Sequence, residues 1–171
     1  MSASGLYLEA IRRSDSDLKR ALDGLTTEDL RSQRAGPGSN PIGWLVWHLT
    51  RTRDNIVSSI AGERSVWERE GWGQRFGMEG ELPRFSPEDV HTFDPKDFGT
   101  LVGYFDSVAD QTAKVIAALS DSDMDREVAS TIPGRPPQPV LARLGVILND
   151  NIQHIGQIAY LRGLIREHGW Y

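Results

Sequence analysis

The sequence contains no cysteine among its 171 residues, and this absence removes several kinds of chemistry. The chain can form no disulfide, offers no thiolate ligand to a metal and has no cysteine nucleophile. A reaction that uses a thiol would therefore have to take the thiol from a second molecule. The lack of disulfides also makes the cytoplasm the default location that we expect for this protein.

Long apolar runs and basic clusters are missing as well. No stretch approaches the roughly 20 apolar residues of a membrane span, and the N-terminal MSASGLYLEAIRR lacks the apolar core of a signal peptide. The formal net charge of −5 argues against a nucleic-acid or anionic membrane partner. A hydrophobic content of 39% and a charged content of 25% are typical of a folded globular chain.

Four long segments have the periodicity of helices, whereas strand signals are weak throughout. The predicted helices cover about residues 5–23, 41–61, 95–119 and 139–168. Asn40 before a proline, and Asp94 before another, are typical of helix starts, and Ser86 before Pro87 predicts a further short helix. Residues 120–139 read as a polar connection in which EVASTI could be extended. The sequence therefore predicts an all-α fold, a four-helix bundle with long crossover connections, as one domain over residues 1–171.

The fourth predicted helix contains DNIQHIGQIAYLRG, residues 150–163, which sets a carboxylate and an imidazole among apolar side chains. At 100° per residue, His154 shares its face with Ile147 and Ile158, and Asp150 lies one turn earlier. A carboxylate beside a buried face is costly unless it is paired or bound to a metal. Residues at i and i+4 are about 5–6 Å apart at Cβ, so these two side chains can converge on one ion.

A third donor, His48, lies beside the apolar stripe of the second predicted helix. If the second and fourth helices pack together, His48 faces Asp150 and His154. Two imidazoles and one carboxylate form a set that suits zinc, iron, nickel or manganese and leaves positions open for water or substrate. Two interpretations without a metal remain open on these residues alone: satisfied core histidines, and a structural ion pair between Asp150 and His154.

Three stretches resemble the DinB-like superfamily of bacterial metal-binding four-helix bundles: WLVWHLTRTRDNIVSSIAG, WEREGWGQRFG and DNIQHIGQIAYLRG. The third resembles the signature H-x-x-x-H-x-G-Q-I, with Asp150 where many members have the first histidine. The second is similar to the tryptophan- and glycine-rich segment of mycothiol-related members. The mycothiol-dependent maleylpyruvate isomerase branch has a carboxylate at the position of Asp150. The resemblance covers roughly residues 5–163.

The resemblance implies that His48, Asp150 and His154 hold one divalent metal ion, zinc in the first place, with nickel, iron or manganese as alternatives. It also implies a metal-dependent enzyme, a thiol S-transferase or isomerase that activates a small thiol such as mycothiol for reaction with a small electrophilic substrate. The alternatives are a hydrolase with metal-activated water and a bundle that binds metal or ligand without catalysis. Because bundles of this family often dimerise, a homodimer is expected.

Six further side chains are candidates for contact with the substrate or the thiol: Trp47, Asn55, Trp72, Arg75, Asn151 and Gln157. The amides could orient metal ligands or the thiol, while the aromatic and arginine side chains could stack on a sugar or bind a carboxylate. Each also has a structural interpretation, as a polar residue at the bundle edge or as part of a packed crossover. His91 and His168 are not predicted as ligands, and Arg53 and Asp54 are expected to form a local ion pair.

Overall fold

The structure is a computed structural model and describes residues 2–79, 86–130 and 134–168. Along these residues the α-helices are α1 (Ala3–Leu22), α2 (Thr27–Arg31), α3 (Ile42–Ala61), α4 (Val66–Arg69), α5 (Trp72–Phe76), α6 (Pro87–Thr92), α7 (Phe98–Ala118) and α8 (Val140–Arg166). A 3₁₀ turn spans Asp121–Asp125, and the two-residue strands β1 (Glu127–Val128) and β2 (Gln138–Pro139) pair antiparallel. The predicted all-α bundle of four long helices is confirmed.

The helix starts show which of the capping signals in the sequence are used. Ser86 caps α6 as predicted, because its hydroxyl accepts the backbone N–H of Asp89 while the Asp89 carboxylate accepts from Ser86. The predicted start of α7 at Asp94 is wrong. Asp97 is the cap, accepting the N–H of Thr100 at 2.7 Å, whereas Asp94 accepts from Arg31 and the Lys96 backbone.

Helix α3 is the centre of the bundle. It packs against both α7 and α8, and α1 closes the bundle by contacting the same two helices. Fifteen of the 20 residues of α3 are buried, so nearly every face of this helix meets another element. The outer face of α8 is exposed, so the core residues of this helix lie along a single stripe. None of the described helices is both long enough and apolar enough to span a membrane.

Two ion pairs involve residues of α3: one joins α3 to α1, and the other lies within α3. The guanidinium of Arg53 donates to both carboxylate oxygens of Asp15 on α1, and its Nε donates to Thr112 on α7 at 2.8 Å. Asp54 pairs with Arg51 rather than with Arg53. The expected ion pair between Arg53 and Asp54 is therefore wrong: each side chain leaves α3 in a different direction and binds its own partner.

Candidate metal centre

The packing of α3 against α8 brings His48, Asp150 and His154 together. One ligand atom from each residue lies within 4.8 Å of the other two. Nε2 of His154 is 3.4 Å from Oδ1 of Asp150, and Nε2 of His48 is 3.6 Å from the same oxygen. These separations are close to the roughly 3.3–3.4 Å expected between two donors that are each about 2.0–2.1 Å from one tetrahedral zinc ion.

The charges of the three side chains are coupled. Burial by itself would raise the pKa of Asp150, but the imidazoles of His154 and His48 outweigh burial and lower that pKa to about 2. Burial would likewise lower the pKa of His154, but Asp150 and then Gln157 outweigh it and raise the pKa. The carboxylate is therefore ionised at neutral pH, as a metal ligand must be.

Two observations show that these residues fit a metal ion. The Oδ2 atom of Asp150 is buried and has no hydrogen-bond partner in the described parts of the chain, although a buried carboxylate oxygen is normally satisfied. The three side chains are also between 18% and 25% exposed, so an ion and a further ligand can reach them. A divalent ion of the zinc type would satisfy the carboxylate and use the two imidazoles as neutral donors.

Both imidazoles are oriented by neighbouring side chains. Nδ1 of His154 lies 2.9 Å from Oε1 of Gln157, one turn further along α8, which leaves Nε2 directed at Asp150. The ring of His48 stacks on Trp44 with a centroid distance of 6.3 Å and an interplanar angle of 25°. A hydrogen bond from the second nitrogen of a ligating histidine is the usual way in which proteins fix its tautomer and its ring plane.

An open cavity of about 540 Å³ lies beside the imidazoles of His48 and His154. It is lined by residues from four elements: Gly38, Asn40, Trp44, His48, Pro87, Val90, His91 and His154. Trp44 and Val90 are buried, whereas Gly38, Asn40 and His91 are exposed, so the cavity has an apolar wall and a solvent-facing rim. This is the arrangement typical of a site for a small ligand.

The six candidate contact residues lie at different depths around this centre. Trp47 is only 1% exposed and packs between Trp44 and Phe93 rather than lining the cavity. Gln157 lies on the other side of His154 and lines a neighbouring cavity of about 250 Å³ together with Tyr160. A role of either side chain in binding a substrate stays a prediction.

The other four candidates do not line the 540 Å³ cavity, so far as the described residues show. Asn151 is fully buried on α8, and both polar atoms of its side chain lack a partner in the described chain. Trp72 is buried, with Arg75 stacked 4.2 Å from its ring centroid. Asn55 is half-buried on α3, seven residues beyond His48. Their proposed contacts with a ligand remain predictions as well.

Three cavity residues on α6 were missed by the sequence analysis. Pro87, Val90 and His91 stand at positions i, i+3 and i+4, so they share one face of the short helix that Ser86 caps. The spacing was visible in the sequence, but it could not show that this face lines the cavity beside the candidate metal centre. That placement depends on the crossover, in which Phe93 packs against Trp44.

The fold and the site together define an all-α bundle with a candidate metal centre between two of its long helices. The sequence profile of the DinB superfamily matches residues 10–158, and the chain belongs to this superfamily. No curated protein matches the sequence.

Two crystal structures show the same fold. A conserved protein from Enterococcus faecalis superimposes with a TM-score of 0.83 at 19% identity, over 98% of this chain and 99% of the other. A DinB-like protein from Bacillus cereus ATCC 10987 gives a TM-score of 0.58 at 23% identity, over 94% and 89% of the two chains. At these identities the likeness concerns the fold.

Replacing Gln157 by leucine is expected to lower the affinity for zinc by roughly 10-fold, at the lower end of the effect of removing the hydrogen-bond partner of a metal ligand. The imidazole of His154 would lose the contact at Nδ1 that orients it. Competition with a chromophoric chelator measures the affinity. Gln153→Leu, at an exposed position of the same helix, is the matched control. Equal affinities for both variants and the wild type would contradict the orienting role.

Proposed function

We propose that this protein is a metal-dependent enzyme in which His48, Asp150 and His154 hold one divalent ion, zinc in the first place, that activates a small thiol for transfer or isomerisation. The observation that carries the proposal is the cavity of about 540 Å³ beside the two imidazoles. A site that only stores or sequesters a metal would be expected to surround the ion with protein donors. Three donors with open space beside them leave room for an exchangeable ligand instead.

The composition of the chain supports a thiol as the second reactant. A divalent ion in such a site supplies Lewis acidity, which lowers the pKa of a thiol or water that occupies an open position. Because the chain has no cysteine, the thiol has to be a separate small molecule. Mycothiol is the first candidate, on the strength of the resemblance carried by WEREGWGQRFG and by Asp150.

The protein side chains would contribute binding and orientation. The carboxylate of Asp150 neutralises part of the charge of the ion, and Gln157 and Trp44 hold the two imidazoles in place. Trp44 and Val90 offer an apolar wall against which the carbon skeleton of a small electrophile can pack. The polar rim formed by Asn40 and His91 would face the polar end of the same substrate.

The test is thiol consumption by protein that has been purified without chelator and loaded with zinc. We expect the protein to accelerate the reaction of mycothiol with small electrophiles, and we expect chelation of the metal to remove this activity. Zinc-loaded protein that consumes no thiol but cleaves activated esters would replace the proposal with metal-dependent hydrolysis. Zinc binding with neither reaction, over a panel of thiols and esters, would contradict an enzymatic role.

A further inference from the structure

Helix α6 lies over the cavity at the metal centre. Its residues Pro87, Val90 and His91 line the cavity together with His154 and the α3 residues Trp44 and His48. Val90 is 8% exposed, which shows that this face of the helix is packed against the bundle. His91 is exposed, and among the α6 residues that line the cavity it is the one with a polar side chain.

The position of α6 is fixed by aromatic contacts with α3. The ring of Phe93, which follows the last turn of α6, lies 5.4 Å from Trp44 edge-on and 5.2 Å from Trp47. Phe93 itself is 6% exposed. The same Trp44 stacks on His48, so one buried aromatic group positions both the metal-binding imidazole and the helix that carries His91.

Activation of a thiol requires a group that takes its proton. Of the described residues that line the cavity, His48, His154 and His91 are ionisable. The nitrogens of the first two that face Asp150 are assigned to the metal, and the carboxylate of Asp150 is assigned to it as well. His91 makes no hydrogen bond or ion pair with any described residue, and histidine is the side chain that most readily exchanges a proton near neutral pH.

We propose that His91 accepts the proton of the thiol that binds at this centre, an inference that rests on the proposed function. The S–H bond breaks, the electron pair stays on sulfur, and the proton moves to a ring nitrogen of His91. The resulting imidazolium returns the proton to the product. His91 would thus be a catalytic residue on α6, outside the three metal ligands on α3 and α8.

The charged groups around His91 are compatible with this role. On its own helix Glu88 is one turn earlier and exposed, and Asp89 is held by the cap of Ser86. Across the cavity, His48 on α3 and His154 on α8 are the ionisable side chains that face it. With both of these acting as neutral metal ligands, the thiolate that forms on binding would be the negative charge that faces the imidazolium of His91.

Calorimetry of thiol binding tests the inference without an enzymatic assay. Zinc-loaded protein is titrated with 2-mercaptoethanol at pH 7.5 in buffers that differ in ionisation enthalpy, which gives the number of protons released to the buffer. The wild type is expected to release few protons, because the bound thiolate pairs with the imidazolium of His91 and holds the proton there. His91→Gln is expected to release about one proton per bound thiol, because the proton then passes to the buffer.

Two controls separate this inference from the proposed function. His168→Gln changes an exposed histidine at the far end of α8, and it should release as few protons as the wild type. His91→Gln should keep the zinc content of the wild type, since His91 is not part of the three-residue set. Equal proton release from wild type and His91→Gln, with thiol bound to both, would overturn the role of His91 alone. Failure of zinc-loaded wild type to bind the thiol would overturn the proposed function and this inference together.

Discussion

Replacing His154 by alanine is expected to lower the affinity of the protein for zinc by more than about 100-fold, beyond the range seen when only the hydrogen-bond partner of a ligand is lost. Nε2 of His154 lies 3.4 Å from Oδ1 of Asp150, and with His48 these atoms form the candidate donor set. Its removal leaves two protein donors, fewer than the three that zinc sites with an open position use. The measurement is a chelator competition, with metal analysis of protein purified without chelator.

The control for this experiment lies one residue away. Gln153→Ala changes an exposed side chain on the same helix and should retain the zinc content of the wild type. Equal zinc content in His154→Ala and the wild type would contradict the assignment of the site. Asp150→Glu and Asp150→His examine the third donor, since both can still bind a metal. If metal content and selectivity stayed unchanged in both, Asp150 would be a structural partner of the histidines rather than a ligand.

Thermal stability distinguishes a metal centre from an ion pair without a metal. A ligand that binds only the folded state stabilises it by about 2.7 kcal/mol at 100 times its dissociation constant. Zinc should therefore raise the melting temperature of the wild type and of Gln153→Ala but leave His154→Ala unchanged. A bundle in which Asp150 and His154 form only a salt bridge would show little stabilisation by added zinc in any of the three proteins.

The fold could be predicted because each long helix is specified by residues that are close together in the sequence. The buried residues of α8 recur at helical spacing over its 27 positions, which predicts the helix. The buried face is less well defined by the sequence, because apolar side chains such as Leu141, Ile152 and Leu164 are exposed on the same helix. Periodicity does not fix the helix boundaries, since Asp94 and Asp97 both have the chemistry of a cap. The choice between them is made by tertiary contacts: Asp94 is used by Arg31 and Lys96, which leaves Asp97 for α7.

The residues of the candidate site also differ in how far the sequence alone predicts their proximity. Asp150 and His154 lie on one helix, so their proximity follows from the i, i+4 spacing alone. The approach of His48 depends on how α3 packs against α8, and the sequence could give that only as a condition. The cavity and the position of His91 depend on how residues 86–97 pack on α3, through contacts such as that of Phe93 with Trp44. Periodicity within a helix does not predict such contacts between residues that are far apart in the sequence.

Replacing Asp54 by alanine is expected to lower the free energy of unfolding by about 3–5 kcal/mol, the usual result of removing one partner of a buried ion pair. Asp54 is 1% exposed and accepts hydrogen bonds from the backbone N–H groups of Val66 and Trp67 at 2.8 and 2.9 Å. It also accepts from the hydroxyl of Tyr104 at 2.8 Å and pairs with Arg51. Alanine would leave several buried donors without an acceptor and the buried guanidinium of Arg51 without its counter-charge.

Urea denaturation of a graded series measures this effect. Burial raises the pKa of the Tyr104 hydroxyl well above its usual value, so this group remains a donor at neutral pH. Tyr104→Phe removes the hydroxyl that donates to Asp54 and accepts from Arg51, and it should cost about 1–2 kcal/mol, the net contribution of two hydrogen bonds. Asp110→Ala, at an exposed position of α7, should stay within about 0.5 kcal/mol of the wild type.

A loss below 1 kcal/mol for Asp54→Ala, on the scale of one hydrogen bond, would show that water replaces its contacts. A loss in the expected range would show that the buried contacts of Asp54 stabilise the fold. These contacts include the first two residues of α4, of which Trp67 packs against Trp47.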